Sequence, residues 1–506
     1  MSLIGRGAAL EALAQGRGAV VWQRLIADIE TPVSAALKLI EPGRGDWVLE
    51  SVESGETRGR YSLIGLDPDL MFEVTGDAAR INRDWRRDRA AFAPLAVPAL
   101  QALRDLVAEC RFDVPQGLPK ALATLVGFFA YETIGLVEQR IPRAPGAGLA
   151  LPDMVFVRPT VILVFDRLAD ELFLIAPIWP DTDAPIDRQI DAAQDRLDDV
   201  AARLSRANAH GDRTPSEALP DAIRANPATR PEDFANMVAA AKDYIAAGDI
   251  FQVVLSQRFS TPFDLPPFDL YRALRRINPS PFLYFLDLPG FALIGSSPEI
   301  LVRVRDGEIT IRPIAGTRPR GRTSAEDAEN RESLLADPKE RAEHLMLLDL
   351  GRNDVGRAAV GGSVTVTDSY TVEFYSHVMH IVSNVIGRIG PDKDAIDALF
   401  AGFPAGTVSG APKVRACQII AELEADARGP YAGGVGYFAP DGNMDSCIVL
   451  RTAIVKDGEM HVQAGAGIVA DSDPAYEQRE CEAKAGALFA AAREAVRVAG
   501  TPGYGQ

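Results

Sequence analysis

Short apolar runs punctuated by glycine and proline dominate the chain up to about residue 180, and after residue 230 helical patterns are mixed with strands. Gly45-Asp46-Trp47-Val48-Leu49-Glu50-Ser51-Val52 and Gly59-Arg60-Tyr61-Ser62-Leu63-Ile64-Gly65 set β-favouring residues between glycines, which predicts two strands. A strand-rich block is expected over Ala123–Glu132. Within Asp153–Pro177, the runs VFVRPTVILVFD and ELFLIAP predict a hairpin around Arg167-Leu168-Ala169-Asp170. A helix is expected over Ile186–Leu204. The proline-rich, small and polar stretch after it predicts a linker at 206–230, between an N-terminal region, 1–205, and a second region, 231–497, with a mobile tail at 498–506.

In the second region Pro231 suits a first helical turn and Gly248 a stop, so a helix is expected to about Ala247. Strands are expected at Phe251–Phe259, on both sides of Gly290 up to Gly295-Ser296-Ser297-Pro298-Glu299, and around Arg312–Thr317. Asp337-Pro338 and Asp473-Pro474 use one capping device twice. The first predicts a helix to about Leu350 that stops at Gly351, and the second a helix to about Arg497.

One stretch fits neither pattern. Pro404-Ala405-Gly406-Thr407-Val408-Ser409-Gly410-Ala411-Pro412-Lys413 combines glycines, hydroxyls, prolines and a closing lysine, which suits a loop that brings backbone N–H groups and small hydroxyls against a polar ligand.

Composition narrows what that ligand is. The 506 residues are 47% hydrophobic and 24% charged, enough for a large core, and their net charge of −17 argues against nucleic acid as a partner. An anionic substrate would need a bound divalent cation or a local Arg/Lys cluster. The N-terminus lacks the apolar core of a signal peptide and no run is long enough to span a membrane, so the chain reads as cytoplasmic. Cys110, Cys417, Cys447 and Cys481 form no CxxC pair, which fits a reducing compartment and excludes a cysteine zinc site.

Several residue groups have the right chemistry, each with a plainer alternative. Glu477, Glu480 and Lys484 share one helical face and suit a cation with an anion, or a solvated face with a Glu480–Lys484 ion pair. Glu343, on the other Asp-Pro helix, is a matching carboxylate or surface charge. His380 is a candidate proton carrier or a satisfied core histidine. Arg451 beside Gln463-Ala464-Gly465-Ala466-Gly467-Ile468 suits a carboxylate pocket or a glycine hairpin with a surface arginine. No phosphate-binding GxxxxGK[ST] or strand-linked GxGxxG is present.

The ordered set PAGTVSGAPK (404–413), DLGRND (349–354), GSSPE (295–299), RPIAGTRPRG (312–321), HIVS (380–383), QAGAGIVADSDP (463–474) and RECEAKA (479–485) closely resembles the chorismate-utilising enzymes, in particular the anthranilate synthase component I family. The resemblance is dense over 231–490 and looser before it, through VLES (48–51) and GRYSLIG (59–65). It implies an α+β fold of large antiparallel sheets packed as a sandwich with flanking helices. It implies Mg²⁺ held by Glu343 and Glu480 with Glu477 adjacent, and chorismate held by Gly316, Thr317, Tyr431, Arg451, Gly465, Gly467, Lys484 and Gln252. Glu299 matches the acid that protonates the departing hydroxyl, and His380 and Thr407 match residues that complete the reaction.

The reaction implied is ammonia addition at ring C2 with loss of the C4 hydroxyl, then pyruvate elimination to give anthranilate, the first committed step of tryptophan biosynthesis. Aminodeoxychorismate synthases often carry a nucleophilic lysine where this chain has Ala315, and water-adding relatives carry a lysine where it has Gln252, so both positions favour ammonia. An aminodeoxychorismate synthase component I and a catalytically silent tryptophan-sensing subunit are the alternatives. No cysteine lies in a Gly-x-Cys-x-Gly elbow, so the resemblance implies a separate glutamine amidotransferase partner. It also implies inhibition by L-tryptophan at Glu50 and Ser51 facing Pro281, Phe282 and Leu283.

Overall fold

The computed structural model describes residues 3–53, 57–119, 121–207, 220–375 and 378–499; His377, residues 208–219 of the expected linker and the end of the expected tail lie outside them. Two antiparallel sheets, twelve strands each among the described residues, carry the fold, which is α+β as expected. Both draw strands from both regions of the sequence. In the first, Asp46–Glu53 lies between Thr57–Leu66 and Phe282–Leu288. In the second, Leu125–Phe129 lies between Met154–Arg158 and Gly434–Phe438.

The expected long strand through VFVRPTVILVFD is divided at Pro159, which cannot donate to a ladder. Met154–Arg158 belongs to the second sheet, whereas Val161–Asp166 belongs to the first and forms the expected hairpin with Glu171–Ile178. Ala123–Glu132 is likewise only partly extended, because a 3₁₀ turn begins at Tyr131.

Trp47, Met71, Phe128, Ile162, Tyr284, Leu293 and Val435, drawn from both sheets, join one buried cluster between them. A larger cluster packs the helices over the outer faces. Its helical members include Ile190 and Leu197 of Ile186–Leu204 and Leu488 and Phe489 of Pro474–Ala499.

The two Asp-Pro helices position the site. Asp337 caps Pro338–Gly356 by accepting the Lys339 and Glu340 N–H groups at 2.9 and 3.3 Å, and Asp473 accepts the Tyr476 N–H at 2.8 Å. The first helix does not stop at Gly351. It continues to Gly356, and a Cβ on Gly351 would stand 3.0 Å from Pro313, so that glycine permits close packing instead of ending the helix. No helix among the described residues is long and apolar enough to cross a membrane.

Candidate active site

Loop 404–413 folds into a short 3₁₀ turn, Gly406–Val408, then a two-residue strand, Gly410–Ala411, that pairs with Gln252 and Val253. Its polar groups divide between two tasks. Ser409 donates to the Ala405 carbonyl at 2.7 Å, and Lys413 pairs with buried Asp354 at 2.9 Å, so both hold the loop, and the Ser409 hydroxyl does not face a ligand as the composition suggested. Thr407 alone among its hydroxyls reaches a candidate catalytic group, donating to Glu299 at 3.0 Å.

Glu299 follows the strand Phe291–Ser297 after Pro298 and is 8% exposed. Burial, with no cationic partner among the described residues, pushes its carboxyl up to about 8, against a weaker opposing pull from Thr407. Near neutral pH it is mostly protonated, and the oxygen that does not accept from Thr407 is free to carry the proton.

His380 lies on Val378–Arg388, opposite Thr317 of Ile314–Pro319. Its Nδ1 is 3.1 Å from the Gly316 carbonyl and 3.0 Å from Thr317 Oγ1. A carbonyl only accepts, so Nδ1 carries the hydrogen and Nε2 presents its lone pair. Burial pulls the imidazole down to about 4, which leaves it a neutral base at pH 7. Gly316 has φ 76°, and a Cβ there would approach Glu340 to 3.2 Å.

Arg451 adopts a left-handed backbone, φ 47°, with its carbonyl accepting the Ser296 N–H at 3.1 Å. Its guanidinium has no ion pair among the described residues, and burial lowers its pKa. An arginine that has lost water without gaining a counter-ion is suited to take an anion.

Glu459–Ile468 pairs along Gln252–Pro262 and brings Gly465 and Gly467 to the same place. The Tyr431 hydroxyl stands 2.7 Å from where a Gly465 Cβ would be, and Gln252 Nε2 stands 2.5 Å from where a Gly467 Cβ would be, so each glycine makes room for a polar side chain. Gln252 is buried and its Oε1 has no hydrogen-bond partner among the described residues. Lys484 donates to the Gly465 carbonyl at 2.9 Å and pairs with Glu480 at 2.7 Å, so the plainer i,i+4 ion pair is also present.

The carboxylates converge from two helices. The Glu343 carboxyl is raised by burial and then by Glu340 and Glu480, and that of Glu477 by burial and then by Glu480. A divalent cation would relieve this repulsion, and hard oxygens from separate elements fit Mg²⁺. The described residues contain no cluster of three or more acidic, histidine or cysteine side chains shaped as a metal cage. Water and substrate oxygens would therefore complete the octahedron that Mg²⁺ requires.

Three residues were missed by sequence reasoning. Glu340 is one turn before Glu343, repeating the i,i+3 spacing of Glu477 and Glu480, and that repeat was a usable signal. Tyr375 packs its ring 5.3 Å from that of His380 and donates to Glu373 at 3.2 Å. Arg428, fully buried, binds Glu424 and donates to the carbonyls of Val408 and Val254 at 2.8 and 2.7 Å, tying the catalytic loop to the strand of Gln252.

Away from these residues, Glu50 lies opposite Leu283 in the strand register. Its carboxylate is held by Arg275 at 2.9 and 3.0 Å, Arg167 at 2.9 Å and Tyr271 at 2.6 Å. Phe282 pairs with Ser297, two residues before Glu299.

The chorismate binding enzyme family matches residues 53–490. Anthranilate synthase component 1 of Cereibacter sphaeroides is 50% identical over 490 residues, 97% of each chain. The protein of that name from Pseudomonas aeruginosa is 46% identical over 92% of this chain and 94% of its own. The crystal structure of anthranilate synthase component I from Streptococcus pneumoniae superposes with a TM-score of 0.73 at 34% identity, covering 92% of this chain and 99% of that one. These likenesses span both sheets and every candidate residue between 53 and 490. The chain belongs to the chorismate-binding enzymes, within the family of anthranilate synthase component I.

Proposed function

We propose that the protein converts chorismate and ammonia to anthranilate and pyruvate. The observation that carries this reading is the split between two buried groups, Glu299 raised to about 8 and His380 lowered to about 4. At neutral pH they stand as a protonated acid and a neutral base, the pairing an elimination needs. Glu299 gives its proton to the departing C4 hydroxyl as ammonia bonds to C2. His380, its tautomer fixed by Gly316, takes the ring proton through Nε2 as pyruvate leaves and the ring becomes aromatic. Arg451 and Tyr431 hold the enolpyruvyl carboxylate, and Gly316, Thr317, Gly465, Gly467 and Lys484 shape the rest of the site. Mg²⁺, bound by Glu343 and Glu480 with Glu477 and Glu340 behind them, would neutralise and orient the ring carboxylate.

Ammonia as nucleophile is supported by Gln252 and Ala315, neither of which can act as a lysine base or nucleophile. All four cysteines are buried, and burial pushes Cys110 and Cys481 up to about 12, so the reading assigns glutamine hydrolysis to a separate amidotransferase subunit. Tryptophan is assigned to Glu50, Ser51, Pro281, Phe282 and Leu283 as feedback inhibitor, with the cytoplasm as the working compartment. An incoming ammonium would have to displace arginine contacts at Glu50, which is how binding would register in the fold.

The test is incubation of the purified chain with chorismate, Mg²⁺ and ammonium at alkaline pH, with the product read by mass and by anthranilate fluorescence. Isochorismate, salicylate or aminodeoxychorismate as the main product overturns the assignment. Glu480→Gln is expected to remove activity while the far-UV spectrum and melting temperature stay near wild type, and an unchanged rate removes the metal-ligand role.

A further inference from the structure

His344 follows Glu343 on the helix Pro338–Gly356, about 100° around the axis, so it points into the protein where Glu343 points into the site. It is fully buried, and its Nε2 lies 2.6 Å from the hydroxyl of Ser383, also fully buried, on the strand that carries His380. The Ser383 hydroxyl in turn accepts the Tyr370 N–H at 3.1 Å. Tyr370 is a non-glycine residue at φ 55°, where the register between Thr365–Phe374 and Val378–Arg388 slips between Asp368 and Thr371. Its ring meets the His344 ring edge-on at 4.8 Å, its hydroxyl donates to the Arg341 carbonyl at 3.3 Å, and the Arg341 guanidinium lies 4.8 Å above it.

Two residues, Ser383 and Tyr370, therefore converge on the single turn, 341–344, that presents Glu343. Further along, the same helix packs through Leu347, Leu348 and Val355 and is held by the Asp354–Lys413 ion pair. The arrangement also breaks two local rules. Tyr370 is held in a conformation that suits glycine, and His344 Nδ1 is buried without a partner among the described residues. An apolar residue would fill the position of His344 without leaving an unpaired nitrogen, so mere filling does not explain the histidine.

We propose that the His344–Ser383–Tyr370 clip is a positioning device for the cation site, fixing the first turns of the helix so that Glu343 stands correctly opposite Glu480. The proposal rests on the divalent-cation reading above. Its test uses Mn²⁺ as the probe, titrated against the full-length purified protein without chorismate and followed by loss of the free-ion electron paramagnetic resonance signal, with Mg²⁺ as competitor. Thermal melts of each variant are recorded in parallel. His344→Leu and Ser383→Ala are expected to keep a cooperative melt yet to weaken Mn²⁺ binding by about tenfold or more, the usual cost of losing a ligand's supporting contact. Ser383→Thr, which keeps the hydroxyl, restores most of the affinity. A merely structural role predicts lowered melting temperatures with an unchanged Kd, and that result, or wild-type affinity in His344→Leu, overturns the proposal. Absence of saturable Mn²⁺ binding by the wild type overturns the cation reading itself, and is distinguished by appearing before any substitution is made.

Discussion

Replacing Glu299 with glutamine should remove catalysis and stabilise the protein, by an amount that grows with pH. The folded carboxyl titrates at about 8, against an ordinary value of 4.5. A raised pKa means that the folded state holds the proton more tightly than the unfolded state, so its stabilising effect is complete below the unfolded value and is lost as pH rises through the folded one. Each pH unit in that window is worth about 1.4 kcal/mol. Relative to glutamine, which never ionises, wild type should be destabilised by less than about 1 kcal/mol at pH 5, by about 3 kcal/mol at pH 7, and by at most about 5 kcal/mol above pH 8. Other titrating groups are the same in both proteins and cancel in the difference. Urea midpoints for the two proteins at pH 5, 7 and 8.5 measure the gap directly. A gap that stays constant from pH 5 to 8.5 refutes the protonated acid, whatever the activity does. In the activity assay Glu299→Gln should lose about 10²- to 10⁴-fold in kcat. The wild-type rate should fall on the alkaline side of about pH 8 as the acid ionises.

Other substitutions probe neighbouring parts of the site. Gly467→Ala places a Cβ 2.5 Å from Gln252 Nε2, so the amide must move; kcat/KM for ammonium should fall about 10- to 100-fold in a steady-state assay with varied ammonium, while the melting temperature changes little. Arg428→Met leaves Glu424 as an uncompensated buried charge and frees the Val408 and Val254 carbonyls, so unfolding should be easier by about 3–5 kcal/mol in urea, and a loss below about 1 kcal/mol would contradict the geometry. Ser51→Leu should retain turnover and lose inhibition by tryptophan in a rate assay with added tryptophan; intact inhibition would place the effector elsewhere.

Much of the site was legible because short motifs constrain the backbone directly. Asp-Pro caps are local, and both helices they announce begin where expected. The 404–413 loop was recognisable by composition, yet composition does not say which hydroxyl faces outward, and only Thr407 does. Gly351 resembled a helix stop because a glycine that ends a helix and one that lets Pro313 approach look identical in sequence. Pro159 shows the opposite failure, since its ability to split a strand between two sheets was readable but was outweighed by the apolar run around it. Arg428 stayed hidden because its role depends on partners distant in sequence, Val254 and Arg428 lying 174 residues apart. Burial is a property of the assembled sheets, and the sequence around a buried arginine resembles that around a surface one.

The interleaving of both sheets sets the order of events during synthesis. Asp46–Glu53 waits for Phe282–Leu288, and Leu125–Phe129 waits for Gly434–Phe438, so the ribosome must deliver hundreds of further residues before these edges are closed. Pairings so far apart in sequence are slow to form, and the waiting strands are the kind of bare edge that recruits other chains. A nascent chain ending near residue 205 should therefore aggregate instead of folding alone, and the cell's chance to lose this protein lies mainly in the interval between making its first sheet strands and supplying their partners.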